Sequence, residues 1–176
     1  WQVTVMAEDG GEIELEVTGN SLQSALSSKN IKYPDVTCLK AISGTITYTD
    51  WRHIFDNSGN DSSTVSTGFT NLSSFLAEEG VISDGELPRL NFPKSLVTLK
   101  LPAGVTEIRN YAFEGYNKLQ TVYLPDGIQG IGNCAFYQCS SLEEISLPNE
   151  IENIGMSAFQ DCTSLQEVSL PDQITS

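Results

Sequence analysis

Cations are what this sequence has least of. From Leu119 to Ser176 there is no Lys or Arg, while eight acids fall in the same stretch: Asp126, Glu143, Glu144, Glu150, Glu152, Asp161, Glu167 and Asp172. Over all 176 residues the formal charge is −14. Phosphate binding needs clustered cations, so no nucleic acid is expected as a partner, nor an anionic membrane surface. Long apolar runs are missing too. None approaches the roughly 18 residues that cross a bilayer as a helix, so no membrane-spanning segment is expected. No signal-like segment opens the chain either. It begins on the strand-like Trp1-Gln2-Val3-Thr4-Val5, a trimmed amino terminus is the expectation, and location is not decided by it. Histidine occurs once, as His53 beside Trp51, Arg52 and Asp56. It has neither a nucleophile nor a metal partner in the sequence and reads as exposed on a helical turn. With one histidine and no paired carboxylates in a pocket-forming context, a hydrolase is disfavoured and no catalytic residue is assigned.

What the chain does have is a repeat. Leu-Pro recurs at Leu101-Pro102, Leu124-Pro125, Leu147-Pro148 and Leu170-Pro171, a period of 23 residues. Ala112-Phe113, Ala135-Phe136 and Ala158-Phe159 keep the same phase, as do Leu119, Leu142 and Leu165 with Val122, Ile145 and Val168. A fixed period of this length is the mark of a solenoid, in which each unit buries its apolar face by stacking on its neighbours. Within each copy a stretch such as Leu142-Glu143-Glu144-Ile145-Ser146-Leu147 predicts a short strand with Leu and Ile inward. Stacked copies predict a parallel sheet with strands about 4.8 Å apart. Proline then ends the strand, because it cannot donate to the ladder. Ala135, Phe136 and Cys139 are spaced to share one face of a single helical turn on the far wall, with Ile128 and Ile131 filling the middle.

Ahead of the repeats the pattern is looser. Trp1, Val3 and Val5, then Ile13, Leu15 and Val17, alternate with polar residues around the turn signal Glu8-Asp9-Gly10-Gly11 and predict a hairpin with one acidic face. Asn20-Ser21 can cap a short helix burying Leu22, Ala25 and Leu26. Val36, Leu39 and Ala41 carry the spacing of the later strands, and Gly44 turns the chain away. Thr49 or Asp50 opens a helical turn carrying Trp51, Ile54 and Phe55, and residues 57–68 read as a surface loop. Leu72, Phe75 and Leu76 fit a capped helix or a degenerate repeat strand. The strand is favoured because Leu72 lies 24 residues before Leu96.

The run Leu124-Pro125, Ile128, Ile131-Gly132, Ala135-Phe136, Cys139, Leu142, Ile145 resembles the BspA-type leucine-rich repeat of bacterial surface proteins. Leu101–Tyr123 and Leu147–Ser169 match as well, the first departing with Arg109 in place of Gly and Tyr116 in place of Cys. More weakly, Leu39–Ile46 followed by Asp50-Trp51 resembles the amino-terminal part of such proteins from gut-dwelling anaerobes. The resemblance implies an α/β leucine-rich-repeat solenoid dominated by β structure. Its short parallel sheet lies on the concave face, short helical turns form the other wall, and a hairpin and helix cap the amino terminus. Residues 1–95 are then the cap and degenerate repeats, and residues 96–176 are three full 23-residue copies with part of a fourth. It further implies a secreted or lipid-anchored protein of the outer cell surface, held through a removed amino-terminal segment, with host or microbial macromolecules as partners. No cofactor and no catalytic residue are implied.

The candidate sites are few. Cys139 and Cys162 share a repeat position filled by Tyr116 in the first copy, which reads as a packing slot for a small reduced thiol rather than a metal or disulfide site. Cys134 lies five residues from Cys139 with no second pair near, and Cys38 has no evident partner. Asp56–Asp61 has oxygen donors at alternate positions but lacks the glycine and the glutamate of a calcium loop. What is left is the strand face. Its outward positions form two columns, Thr98, Thr121, Glu144, Glu167 and Lys100, Tyr123, Ser146, Ser169. These are the expected binding face, with Tyr123 the most anchor-like because aromatics dominate interface energetics. The reading is a non-catalytic recognition or adhesion module that binds a protein or glycan at the cell surface. The alternatives are a structural spacer that self-associates end to end and an accessory glycan-binding protein.

Overall fold

The computed structural model describes residues 2–7, 11–16, 22–32, 36–46, 72–78, 82–83, 92–166, 168, 170 and 174. The hairpin is β1 (Gln2–Ala7) and β2 (Glu12–Glu16), followed by α1 (Leu22–Ser28) and β3 (Val36–Ser43). Leu22 and Leu26 are buried on the core side of α1, as their spacing predicts. Strand β4 (Thr45–Ile46) follows Gly44, whose φ of 97° makes the bend that a side chain resists. Then come β5 (Ser74–Ala77), β6 (Ile82–Ser83), β7 (Thr98–Lys100), β8 (Glu107–Ile108), β9 (Thr121–Tyr123), β10 (Gly130–Ile131), β11 (Glu144–Ser146) and β12 (Asn153–Ile154). The segment expected as helix or strand is therefore strand from Ser74 on, with Leu72 buried just ahead of it. The helical turn expected from Thr49 or Asp50, His53, the loop at 57–68 and the calcium-like sequence at 56–61 lie outside the described residues.

One sheet of seven strands runs through the molecule in the order β11-β9-β7-β5-β3-β1-β2. It is parallel from β3 to β11 and antiparallel where the hairpin joins at β1. Leu39, Phe75, Leu99, Val122 and Ile145 occupy successive positions of one register and all point inward, the first four fully buried. At roughly 1.5–3 kcal/mol for each large apolar side chain removed from water, that row alone is a major part of the gross stabilisation. The chain is a β-dominated solenoid with a parallel sheet and little helix.

Two features depart from the sequence reading. First, the middle of each repeat is itself a strand: β8, β10 and β12 form a second parallel sheet, in which Ile131 aligns with Ile108 and Ile154. Strands of two residues are too short to show alternation in a sequence. Second, the far wall is built from tight turns, not helical ones. Alternate amides point in different directions there. Those of Cys134, Phe136 and Gln138 donate along the stack to the carbonyls of Met156, Ala158 and Gln160 at 2.9, 2.8 and 2.9 Å. The amides between them, Ala135, Tyr137 and Cys139, donate within the rung to Gly132, Cys134 and Phe136. The preceding rung does the same from Tyr111, Phe113 and Gly115. A helix would keep every amide along its own axis; here every second one is used between rungs. The backbone achieves this by going left-handed at Tyr111, Cys134 and Ser157, and again at Gly115, Gln138 and Asp161. Outside glycine that conformation costs roughly 1–2 kcal/mol per residue, offset by the rung-to-rung hydrogen bonds it makes possible.

A column of rings starts at Phe75 on β5 and continues into this wall. Phe75, Phe92, Phe113, Phe136 and Phe159 follow one another at centroid distances of 5.9, 5.7, 5.2 and 5.4 Å. The slot of Tyr116, Cys139 and Cys162 has a shared task. The Tyr116 hydroxyl donates to the carbonyl of Phe92 at 2.7 Å, and the thiols of Cys139 and Cys162 donate to those of Phe113 and Phe136 at 3.1 Å. Each caps the carbonyl of a ring residue in the rung before it. The thiols are free and the position is one of hydrogen bonding as well as packing. A hydrogen bond with the Cys162 side chain, and then burial, push the Cys139 thiol well above its ordinary range. Burial does the same to Tyr116.

Candidate functional site on the seven-stranded sheet

The outward residues of the larger sheet follow from its register. One row runs Cys38, Ser74, Thr98, Thr121, Glu144 and the other Lys40, Leu76, Lys100, Tyr123, Ser146, each residue beside the next on a neighbouring strand. In register, the hairpin continues both rows, with Met6 beside Cys38 and the buried Thr4 beside Lys40, and then Glu12 and Glu14 on β2. Six of the expected face residues, Thr98, Lys100, Thr121, Tyr123, Glu144 and Ser146, are thus brought together as two adjoining rows. Glu167 and Ser169 lie outside the described residues.

The rows differ in chemistry. The first is mostly hydroxyls at its centre, each of which can donate and accept. The second alternates cation and apolar group: Lys40, Leu76, Lys100, Tyr123. Tyr123 is 42% exposed, although a strand position in a solenoid can be filled by almost any polar residue. Lys40 makes an ion pair with Glu78 at 2.8 Å, both side chains being substantially exposed. That hydrogen bond holds Lys40 above the usual lysine range and Glu78 below the usual carboxylate range, with Lys100 adding to the effect on Glu78. Exposed pairs of this kind contribute little to stability. Charge is therefore sorted across the face, with Glu12 and Glu14 at the hairpin end, Glu144 at the other, and Lys40 with its partner Glu78 and Lys100 between.

Sequence reasoning missed the half of this face made by β3 and β5. The signal was present in the spacing of Val36, Leu39 and Ala41, but Cys38 aligns with Ser74 across an interval that no 23-residue period suggests. Cys38 itself is nearly buried on this face, and burial raises its pKa. Among the described residues no group of three or more His, Cys, Asp or Glu side chains is placed to hold a metal ion. No helix among them is long and apolar enough to cross a membrane.

Residues 91–176 match a family model described as a BspA type leucine rich repeat region. Among solved structures, a leucine rich cell surface protein from Faecalibacterium prausnitzii is similar at 17% identity with a TM-score of 0.42, over 93% of this chain. The chain spans about half of that protein, 51% of its length. No curated protein matches the sequence.

Proposed function

Through residues 91–176 the chain belongs to the BspA-type leucine-rich-repeat family, and from that premise we propose that it is a non-catalytic recognition module that binds a macromolecule through the outward face of its seven-stranded sheet. The observation that carries this reading is the division of labour within each repeat. The recurring letters are committed to the scaffold: Leu119, Leu142, Phe113, Phe136 and Cys139 are buried, and Gly132 approaches the rung beneath it so closely that a Cβ there would lie 2.5 Å from the amide nitrogen of Asn110. Outward positions are released from such duties, and they are the ones that differ: Thr98, Thr121, Glu144 in one row and Lys100, Tyr123, Ser146 in the other. A repeat scaffold uses such variable, contiguous positions for partners.

The module acts at the cell surface, where a lipid anchor or secretion places it, and adhesion is the role that this location gives a recognition face. Two measurements test the reading. Screening the chain against glycan and matrix-protein arrays should yield a binder whose signal falls at least tenfold in the Tyr123→Ala, Glu144→Lys double variant; a binder indifferent to both changes places recognition elsewhere on the molecule. Protease treatment of intact cells that make the native protein should remove it, whereas full protection would contradict surface exposure.

A further inference from the structure

Resting on that reading of the face, we propose that its ligand is a uronate-bearing polysaccharide laid across β3, β5, β7 and β9, its carboxylates on Lys40 and Lys100 and one sugar ring on Tyr123. Three observations point the same way. The centre of the face holds two lysines against one acid, Glu78, a net positive charge within a chain of charge −14 that has only nine Lys and Arg in all. Lys40 and Lys100 stand two strands apart, roughly 9.6 Å at the usual inter-strand spacing. A linked pyranose advances by about one strand spacing, so this fits one carboxylate on every second sugar. Beside the cations, Ser74, Thr98 and Thr121 form a row of hydroxyls that can exchange hydrogen bonds with sugar hydroxyls in either direction, and Tyr123 offers an exposed ring at the end of the cationic row.

The flanking acids limit what can bind. Glu12 and Glu14 at one end and Glu144 at the other repel a densely charged polyanion, while a sparse one can keep its carboxylates on the central lysines. An extended peptide fits less well. Peptides add to sheet edges, where main-chain groups are open, whereas on this face the backbone groups of β5, β7 and β9 are committed to strands on both sides. Glu78 has a defined place in the scheme. It holds Lys40 in the unliganded protein at 2.8 Å and competes with an incoming carboxylate.

The test is titration of the whole chain with a hyaluronan oligosaccharide, with neutral pullulan and with poly-L-glutamate, at two salt concentrations. Expected are binding of hyaluronan in preference to the other two and weakening by salt. Lys100→Gln should lose about tenfold in affinity, the effect of one charge-assisted hydrogen bond. Glu78→Gln should gain affinity by freeing Lys40, and Lys118→Gln, an exposed lysine in the turn outside the strands, should match the parent. Pullulan bound as well as hyaluronan, with Lys100→Gln silent and Tyr123→Ala weak, overturns the uronate assignment and leaves the face reading standing. Preference for poly-L-glutamate, or no binding of hyaluronan at millimolar concentration, overturns it also. Hyaluronan binding that is unchanged in both Lys100→Gln and Tyr123→Ala overturns the use of the face itself.

Discussion

The two long walls of the solenoid use their residues in opposite ways. On the turn wall nearly everything is tied between rungs: alternate amides, the stacked phenylalanines, and the donors of Tyr116, Cys139 and Cys162. Even exposed side chains are committed, since Asn110 accepts the amide of Asn133, and Asn133 accepts that of Met156, each at 2.7 Å. On the sheet wall the backbone is tied and the outward side chains are less committed, with Lys40 held by Glu78. Residue identity is thus dictated by stacking on one wall and open to selection by a partner on the other. Stability should respond to substitutions on the first and binding to substitutions on the second.

The largest stability loss is expected from Phe136→Ala. Its ring is fully buried and stacked against both neighbours, at 5.2 and 5.4 Å. Truncation leaves a cavity in the middle of the column, at a cost of about 3–5 kcal/mol. Chemical denaturation should show this as a lower midpoint. A loss below about 1 kcal/mol would mean that the rungs do not depend on the ring stack.

Gly132→Ala comes next. The added methyl would meet the backbone of Arg109 and Asn110 in the rung beneath as well as the Asn110 side-chain oxygen, and overpacking of that kind costs about 1–3 kcal/mol. A neutral result would show that the rungs can slide apart locally. Alkaline pH should act on the same wall. Burial raises the Tyr116 pKa above its ordinary value of 10 in the fold, so the folded state holds a proton that the unfolded chain releases. Its contribution is complete below pH 10 and declines as pH rises beyond it, with a slope that approaches about 1.4 kcal/mol per pH unit. Thermal unfolding from pH 8 to 11 should therefore fall more steeply in the parent than in a Tyr116→Phe variant.

The asparagine column makes a finer test, and it also shows how far the sequence could be read. Asn133→Ala removes the acceptor of the Met156 amide and should cost about 1 kcal/mol, while Asn133→Asp keeps an acceptor oxygen and should cost less. Asn110 and Asn133 lie one period apart in the sequence, but Met156 occupies the third position and hides the column. The overall solenoid was legible because Leu, Pro, Ala-Phe and Leu recur where burial demands them. The turn wall was not, because Ala135, Phe136 and Cys139 are spaced like one face of a helix. What rules the helix out is the left-handed backbone at Cys134 and Gln138, chosen by bonds to the next rung and not by local preference. On the sheet wall, Lys100 and Tyr123 could be assigned outward from strand alternation alone. Lys40 could not, because the interval between β3 and β5 breaks the period.

Tyr123→Ala is expected to have the smallest effect on stability and tests the contrast between the walls most directly. Its ring stands outward beside Lys100 and Ser146, and Val122 and Leu124 keep the inward packing of that strand. Surface substitutions away from packing or capping features stay within about 0.5 kcal/mol, so denaturation midpoints should overlay those of the parent. Binding of a face ligand should nevertheless fall by tenfold or more, because exposed aromatics anchor interfaces. If stability drops with binding, the ring belongs to the scaffold and the two walls are less different than their hydrogen bonds suggest. If neither changes, the sheet is a second structural wall and the partner docks on another surface.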